Sequence, residues 1–168
     1  MNFAPRGRAL KLAIAFAAAV SMAACSKNPE EGAGGPGGGV GSGVASPGSP
    51  QDFVVNIGDR VFFESDSTEL SAQAQATLDK QARWLQQYGR YSFTIEGHAD
   101  ERGTREYNFA LGARRSEVAK NYLAAKGISG ARIKTISYGK ERPVAVCNDI
   151  SCWSQNRRAV TVLGGGNS

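Results

Sequence analysis

The chain has 168 residues and a formal net charge of +5, with 20 Lys and Arg against 15 Asp and Glu. The basic residues are scattered and form no stripe with interleaved aromatic side chains, which disfavours a nucleic-acid-binding function. After a Gly-rich stretch, about 110 residues have a globular composition, which is enough for one domain with a single core and too few for two.

The first 24 residues have the three parts of a secretory signal peptide. Basic residues precede the apolar run LAIAFAAAV, which is too short to span a bilayer as a helix. The next residues, Met22-Ala23-Ala24-Cys25, resemble the lipobox of bacterial lipoproteins, in which the cysteine is acylated. Residues 1–24 are therefore predicted to be a lipoprotein signal peptide and Cys25 the lipidated residue; an ordinary signal peptide with a spare cysteine is the alternative.

The residues after Cys25 predict a lipid-anchored protein of the outer membrane whose domain faces the periplasm. Ser26 and Lys27 lack the aspartate that retains lipoproteins at the inner membrane in enteric-type sorting. From Ser26 to Asp52, 17 of 27 residues are Gly, Pro or Ser, so too few apolar groups are present to offset the entropy of ordering. Residues 25–52 are predicted to be the lipidated cysteine and a disordered linker, which either spaces the domain from the membrane or has no spacing role.

The folded part is predicted to run over residues 53–163, with a flexible tail at 164–168. Apolar alternation and turn residues predict a first strand over 54–57 and 60–63, interrupted by a turn or bulge at Gly58-Asp59, and further strands at 91–96, 133–138 and 158–163. Helical spacing predicts one helix after Ser71, a second after Thr104, and a short one at 149–155. This βαβαβ(α)β order, with too few helices to cover both faces, predicts an α+β two-layer sandwich: a mixed four-stranded sheet with helices on one face.

The most informative stretch is TIEGHADERGTREYNFALGARR, which ends at Arg115. A strand breaks at Gly97 into a polar loop that carries Asp100, and a helix follows; such loops commonly hold binding groups. Arg114 and Arg115 lie about 50° to either side of the predicted apolar stripe of that helix. Residue types alone do not choose between the two arginines, and solvated charges or a structural ion pair would also explain these residues.

The remaining cysteines, Cys147 and Cys152, have four residues between them. In an oxidising compartment a disulfide is expected, worth about 2 kcal/mol by the chain-entropy estimate. A zinc site is the alternative, but the sequence has one histidine and the spacing fits no common zinc finger. No metal and no cofactor are therefore expected.

Four motifs in order, GHADERGT, YNxxLGxRR, SYGKERP and NRRAV, resemble the OmpA-like peptidoglycan-binding domain, and specifically its branch of peptidoglycan-associated lipoproteins in the Tol–Pal system. The resemblance implies non-covalent binding of peptidoglycan through the diaminopimelate of its stem peptide. It also implies a role in tethering the outer membrane to the cell wall, in envelope integrity and in cell division, with TolB and other Tol proteins as partners.

The resemblance also implies the site residues. Asp100 matches the family's ammonium-binding aspartate and Arg115 its carboxylate-binding arginine. The other matching positions are Leu111, which packs beside the ligand, Asn108, which braces the site, Ser65 and Asp66 on the opposing loop, and Arg158 at the edge.

Two other functions stay open at this point. The chain could be an OmpA-like envelope lipoprotein with the same site outside the Tol–Pal system. It could also be a peptidoglycan hydrolase, with His98 near Asp100, but no nucleophile, nucleophile-elbow motif or zinc-protease motif accompanies them. The expectation is a binding protein and not an enzyme.

Overall fold

The computed structural model describes residues 45–164. The predicted signal peptide, the predicted lipidation site Cys25, the predicted linker up to residue 44 and the predicted tail from residue 165 lie outside the described residues. Among the helices of residues 45–164, none is long and apolar enough to cross a membrane.

Four strands and four α-helices make up this part of the chain. In chain order they are α1 (Pro50–Asp52), a π-helical segment (Phe53–Gly58), β1 (Arg60–Phe62), α2 (Ala72–Gln87), β2 (Phe93–His98), α3 (Arg105–Ala125), a 3-10 turn (Gly130–Arg132), β3 (Ile133–Gly139), α4 (Ile150–Asn156) and β4 (Arg158–Leu163).

The strands form one mixed sheet in the order β1-β4-β2-β3. β2 and β3 are parallel, whereas β4 pairs antiparallel with both β1 and β2. The predicted α+β architecture is therefore confirmed.

The core lies between the sheet and the helices α2 and α3. Phe93 and Ile95 of β2 are buried while Thr94 and Glu96 between them are partly exposed, as expected when one face of a strand is covered. Leu78 and Leu85 of α2 and Leu123 of α3 join the same cluster. Both helices have a polar N-cap. The Ser71 side chain accepts a hydrogen bond from the Ala74 N–H at the start of α2, and the Thr104 side chain accepts one from the Tyr107 N–H at the start of α3.

A close glycine contact sets the position of α3 on the sheet. A Cβ atom on Gly97 of β2 would lie 1.8 Å from the carbonyl oxygen of Gly112 in α3. Only glycine at position 97 lets the helix and strand backbones approach this closely. Because Asp100 follows Gly97 by three residues and Arg115 follows Gly112 by three, this contact also brings the two charged residues together.

Two sequence predictions about the N-terminal part are wrong. Residues 54–57 are not a strand but part of the π-helical segment, with Phe53 buried and Val54 and Val55 exposed. The ordered chain also begins before Phe53: Ser49 caps α1 by accepting the Asp52 N–H, and the buried Asp52 accepts a hydrogen bond from Trp84 Nε1 at 2.8 Å. The predicted linker therefore extends too far.

Candidate functional site

Asp100 lies in the loop that links β2 to α3, and its carboxylate is almost fully buried. The Ala99 N–H donates to the carbonyl of Gly139 at 2.8 Å, which extends the β2–β3 pairing to the start of this loop. Arg102 donates to Asp100 from its backbone N–H, Nε and Nη2, and Arg157 Nη1 lies 3.4 Å from Asp100 Oδ2. Burial raises the pKa of Asp100, but the bonds from Arg102 and Arg157 together outweigh burial, so its pKa lies below the usual value. Asp100 is therefore an anion at neutral pH.

Arg115 is a buried cation on α3, with a relative exposure of 0%. Its Nε, Nη1 and Nη2 donate to the carbonyls of Ser67, His98 and Glu64 at 2.9, 2.9 and 3.1 Å. A guanidinium has five N–H donors, so each terminal nitrogen keeps one N–H for a further acceptor. Burial, and then the charge of Arg157, lower the pKa of Arg115 to about 10, which still leaves it charged at neutral pH.

Asp100 and Arg115 line the same pocket, which has a volume of about 240 Å³. Its lining residues are Ser65, Asp66, Asp100, Arg102, Gly103, Tyr107, Asn108, Leu111 and Arg115. Six of the seven peptidoglycan-binding positions named from the sequence are in this set. The ambiguity between the two adjacent arginines is also resolved, because Arg114 is exposed.

The opposing wall is the loop after β1. Asp66 adopts a left-handed conformation with φ of 55°, which aspartate tolerates better than most residues. The Tyr107 hydroxyl donates to the Asp66 carboxylate, and Arg102 Nη2 donates to Ser65 Oγ at 2.8 Å. On the other side, Asn108 donates to the carbonyl of Arg102 at 2.7 Å. These bonds hold the two loops against each other across the pocket.

Arg158, predicted to lie at the site's edge, is not among the residues that line the pocket. Its side chain donates to the carbonyls of Asn156 and Arg142. The neighbouring Arg157 takes that place, since it contacts Asp100 and also donates to the carbonyl of Phe63 at 2.9 Å. Successive side chains of an extended segment point to opposite faces, so the two arginines of the NRR motif separate.

Sequence reasoning also missed Trp153. The guanidinium carbon of Arg102 lies 4.2 Å from the centre of the Trp153 ring, and Trp153 Nε1 donates to Glu101. Trp153 is on α4, which begins beside the disulfide between Cys147 and Cys152. The predicted disulfide is therefore confirmed, and it braces the helix that carries this tryptophan.

His98 is buried, and its ring does not line the pocket. Neither ring nitrogen has a hydrogen-bond partner among the described residues. Burial, and then the charges of Arg158, Arg142 and Arg60, lower the pKa of His98 to about 4. The imidazole is therefore neutral at physiological pH. Its backbone carbonyl serves the site by accepting from Arg115.

The OmpA family model matches residues 62–157, a range that contains β2, β3 and all the residues that line the pocket. The chain belongs to the OmpA family, in its branch of peptidoglycan-associated lipoproteins.

The relatives that support this branch are similar over most of their length. A protein named peptidoglycan-associated lipoprotein from Rhizobium meliloti (strain 1021) is 68% identical over 130 residues, which is 77% of this chain and 74% of that protein. One of the same name from Agrobacterium fabrum is 62% identical over 154 residues, covering 90% of this chain and 86% of that protein. The crystal structure of the peptidoglycan-associated lipoprotein from Burkholderia pseudomallei has a TM-score of 0.65 and 37% identity, and covers 69% of this chain and 100% of that one. The family predicted from the motifs is thus confirmed.

Proposed function

We propose that this chain is an outer-membrane lipoprotein that binds peptidoglycan non-covalently and tethers the outer membrane to the cell wall within the Tol–Pal system. The bound group is the diaminopimelate of the stem peptide. The observation that carries the proposal is the placement of Asp100 and Arg115 in one pocket.

The chemistry of diaminopimelate supports this assignment. The far end of that side chain is a zwitterion, with an ammonium and a carboxylate on one carbon. Its recognition needs an anion and a cation held a few ångströms apart by rigid elements. Asp100 is fixed by the close contact of β2 with α3, and Arg115 by three carbonyls. Each terminal nitrogen of Arg115 keeps one N–H, and a planar guanidinium is well suited to bind a carboxylate.

The electrostatic balance of the site also favours a ligand with a carboxylate. The pocket is lined by the carboxylates of Asp66 and Asp100 and by the guanidinium groups of Arg102 and Arg115, and Arg157 adds a third positive charge at Asp100. Within residues 45–164 no carboxylate forms a salt bridge with Arg115. A buried charge without a counter-ion is costly, so binding of an anion at Arg115 is favourable.

The function is binding, without catalysis. The single histidine of the chain, which would be the natural proton-transfer group, has its ring outside the pocket.

The test compares binding of the full chain and its Asp100→Ala variant to purified peptidoglycan sacculi and to soluble muropeptides. Loss of a buried, charge-assisted partner costs about 2–5 kcal/mol, so the affinity for a diaminopimelate muropeptide should fall roughly thirtyfold to several thousandfold. Arg114→Ala is the matched control. Because that arginine is exposed, the variant should bind as the wild type does.

The wild type should also prefer diaminopimelate over lysine at the same peptide position, since lysine lacks the terminal carboxylate. Equal binding of both muropeptides by the wild type would refute the zwitterion site.

The anchor is tested separately. Cys25→Ser should give a product that no longer fractionates with the outer membrane while its binding to sacculi in vitro persists. Unchanged fractionation would refute the lipid anchor without affecting the peptidoglycan site.

Assignment to the Tol–Pal system predicts that TolB is recovered with the wild-type chain after crosslinking in cells.

A further inference from the structure

The carboxylate of Asp100 has no acceptor position left for a ligand. Its Oδ1 accepts from the backbone N–H and Nε of Arg102, at 3.2 and 3.1 Å. Its Oδ2 accepts from Arg102 Nη2 at 2.6 Å and from Arg157 Nη1 at 3.4 Å. An ionised carboxylate offers about four lone-pair positions, so these donors fill it. A ligand ammonium can bind Asp100 only by displacing one of them.

The Arg102 side chain is the donor that can leave. Arg157 is buried, and its Nε is also bonded to the carbonyl of Phe63. The Arg102 side chain, in contrast, is 42% exposed. It also has two further partners that can retain it at the pocket after it leaves Asp100, the ring of Trp153 and the hydroxyl of Ser65.

We propose that Arg102 determines the specificity of the site by exchanging partners. The ligand ammonium takes the place of Arg102 on Asp100, and the ligand carboxylate, bound at Arg115, also pairs with Arg102 in place of Asp100. This inference rests on the proposed zwitterion site and assigns its selectivity to a residue outside the Asp100–Arg115 pair.

The exchange explains why an amine alone is a poor ligand. An amine that binds Asp100 breaks the Asp100–Arg102 pair and leaves the guanidinium of Arg102 without an anion. A zwitterion breaks the same pair but forms two, one between its ammonium and Asp100 and one between its carboxylate and Arg102. Trp153 keeps the displaced guanidinium close to the pocket, where its planar fork can meet that carboxylate. Selectivity then arises from the cost imposed on the wrong ligand as well as from contacts with the right one.

The test measures the affinities of a diaminopimelate muropeptide and a lysine muropeptide for the full chain in detergent, before and after Arg102→Ala. Removal of Arg102 frees Asp100, so the lysine muropeptide should bind about tenfold more tightly than to the wild type. The affinity for the diaminopimelate muropeptide should rise less, because this ligand also loses a partner for its carboxylate. The preference for diaminopimelate should therefore shrink, by up to about tenfold. Arg102→Gln, which retains a long polar side chain, should shift the preference in the same direction.

The matched control is Arg105→Ala. It removes the same charge three residues away, from a side chain that is 74% exposed and pairs with Glu141, outside the pocket. It should leave both affinities unchanged. A gain for the lysine muropeptide in this control would show that net charge, not partner exchange, sets the preference.

A second measurement follows Arg102 directly. The Nε–Hε resonance of Arg102 in the wild type should shift on addition of the diaminopimelate muropeptide. The exchange is refuted if Arg102→Ala lowers the affinities for both muropeptides by the same factor. It is also refuted if the variant binds the lysine muropeptide no more tightly than the wild type does. That result is distinct from failure of the site itself, which would appear as undiminished binding by Asp100→Ala.

Discussion

Arg115 illustrates how one residue serves both the fold and the site. Its guanidinium donates hydrogen bonds to carbonyls on two segments that are far apart in sequence. These are the carbonyls of Glu64 and Ser67 after β1 and of His98 at the end of β2. It also packs 5.1 Å from the centre of the Phe63 ring. The residue that is proposed to bind the ligand carboxylate therefore also joins the two loops that form the pocket walls.

This dual role predicts a loss of stability as well as of binding in Arg115→Ala. Buried carbonyls that lose their donor cost about 1–3 kcal/mol each, so the free energy of unfolding should fall by about 3 kcal/mol or more. Arg115→Lys keeps the charge but cannot span all three carbonyls, and should be intermediate in stability and weak in binding. Urea unfolding checks both, with Arg114→Ala as the exposed control that should change stability by less than about 0.5 kcal/mol. Wild-type stability of Arg115→Ala would contradict the structural role.

His98 predicts a pH dependence of stability. Its pKa is lowered from 6.5 to about 4 in the folded protein, so between these values the unfolded chain binds a proton that the folded chain does not. The stabilising effect is complete above pH 6.5 and is lost as the pH falls towards 4, with a limit of about 3 kcal/mol. Glu96 lies 3.6 Å from Nε2, but burial and then the nearby arginines determine the direction of the shift.

The measurement compares urea midpoints of the wild type and His98→Gln from pH 7.5 to 4.5. The wild type should lose more stability on acidification than the variant, because glutamine does not titrate while the carboxylates are common to both. Parallel pH profiles would contradict the lowered pKa of His98.

At the scale of elements, the approach of α3 to β2 is the contact on which the site depends. Gly97→Ala places a methyl group against the carbonyl oxygen of Gly112, and the helix must move away. Overpacking of this kind costs about 1–3 kcal/mol, and the movement should also weaken muropeptide binding, because Asp100 and Arg115 lie on the two separated elements. Calorimetric unfolding of the variant measures the loss of stability, and titration with the muropeptide measures the loss of binding.

Gly130→Ala is the control for that substitution. A Cβ atom at Gly130 meets nothing within 4 Å, and its φ is not in the left-handed region. The control should therefore keep wild-type stability and binding. A stable, fully binding Gly97→Ala would contradict the role assigned to the glycine contact.

The elements also show what sequence patterns can predict and where they fail. The strands and long helices follow from periodicity and caps, and the family motifs identify Asp100 and Arg115. The run 54–57 was misassigned because a short apolar stretch fits a strand or a helix equally well, and its packing through Phe53 depends on tertiary contacts. Arg157 and Arg158 could not be told apart, since the faces of adjacent strand residues are fixed by register. The contact of Trp153 with Arg102 joins residues distant in sequence, which no local pattern encodes.

At the scale of the whole molecule, the folded domain begins earlier than its composition suggests. The carbonyl of Gly48 accepts from Arg90 and from the Tyr91 hydroxyl, at 2.8 and 2.9 Å. Gly48 has φ of 77°, and a Cβ atom there would lie 2.4 Å from the Tyr88 ring. Asp52 accepts from the Gly48 N–H and from Trp84. Burial, conformation and hydrogen bonding thus fix this Gly- and Pro-containing segment on the end of α2.

A truncated chain that begins at Phe53 should therefore be less stable than one that begins at Ala45. Loss of these bonds leaves Trp84 Nε1 and the Tyr91 hydroxyl without the acceptors to which they donate, and the melting temperature should fall by roughly 5 °C or more. The chain that begins at Ala45 is the reference because it keeps all of these contacts. Equal melting temperatures would mean that residues 45–52 contribute nothing to the fold.

The position of this N-terminal segment has a mechanical consequence. It packs at the C-terminal end of α2, whereas the N-terminal end of that 16-residue helix, about 24 Å away, follows the loop that carries Ser65 and Asp66. If the chain before Ala45 is tied to a membrane and the pocket holds the cell wall, a pull between them acts along the length of the domain. The shortest covalent route for that force runs through β1, whose bonds to β4 are perpendicular to the strand. Such a load shears these bonds together instead of opening them one by one, so the wall should be released before the domain unfolds.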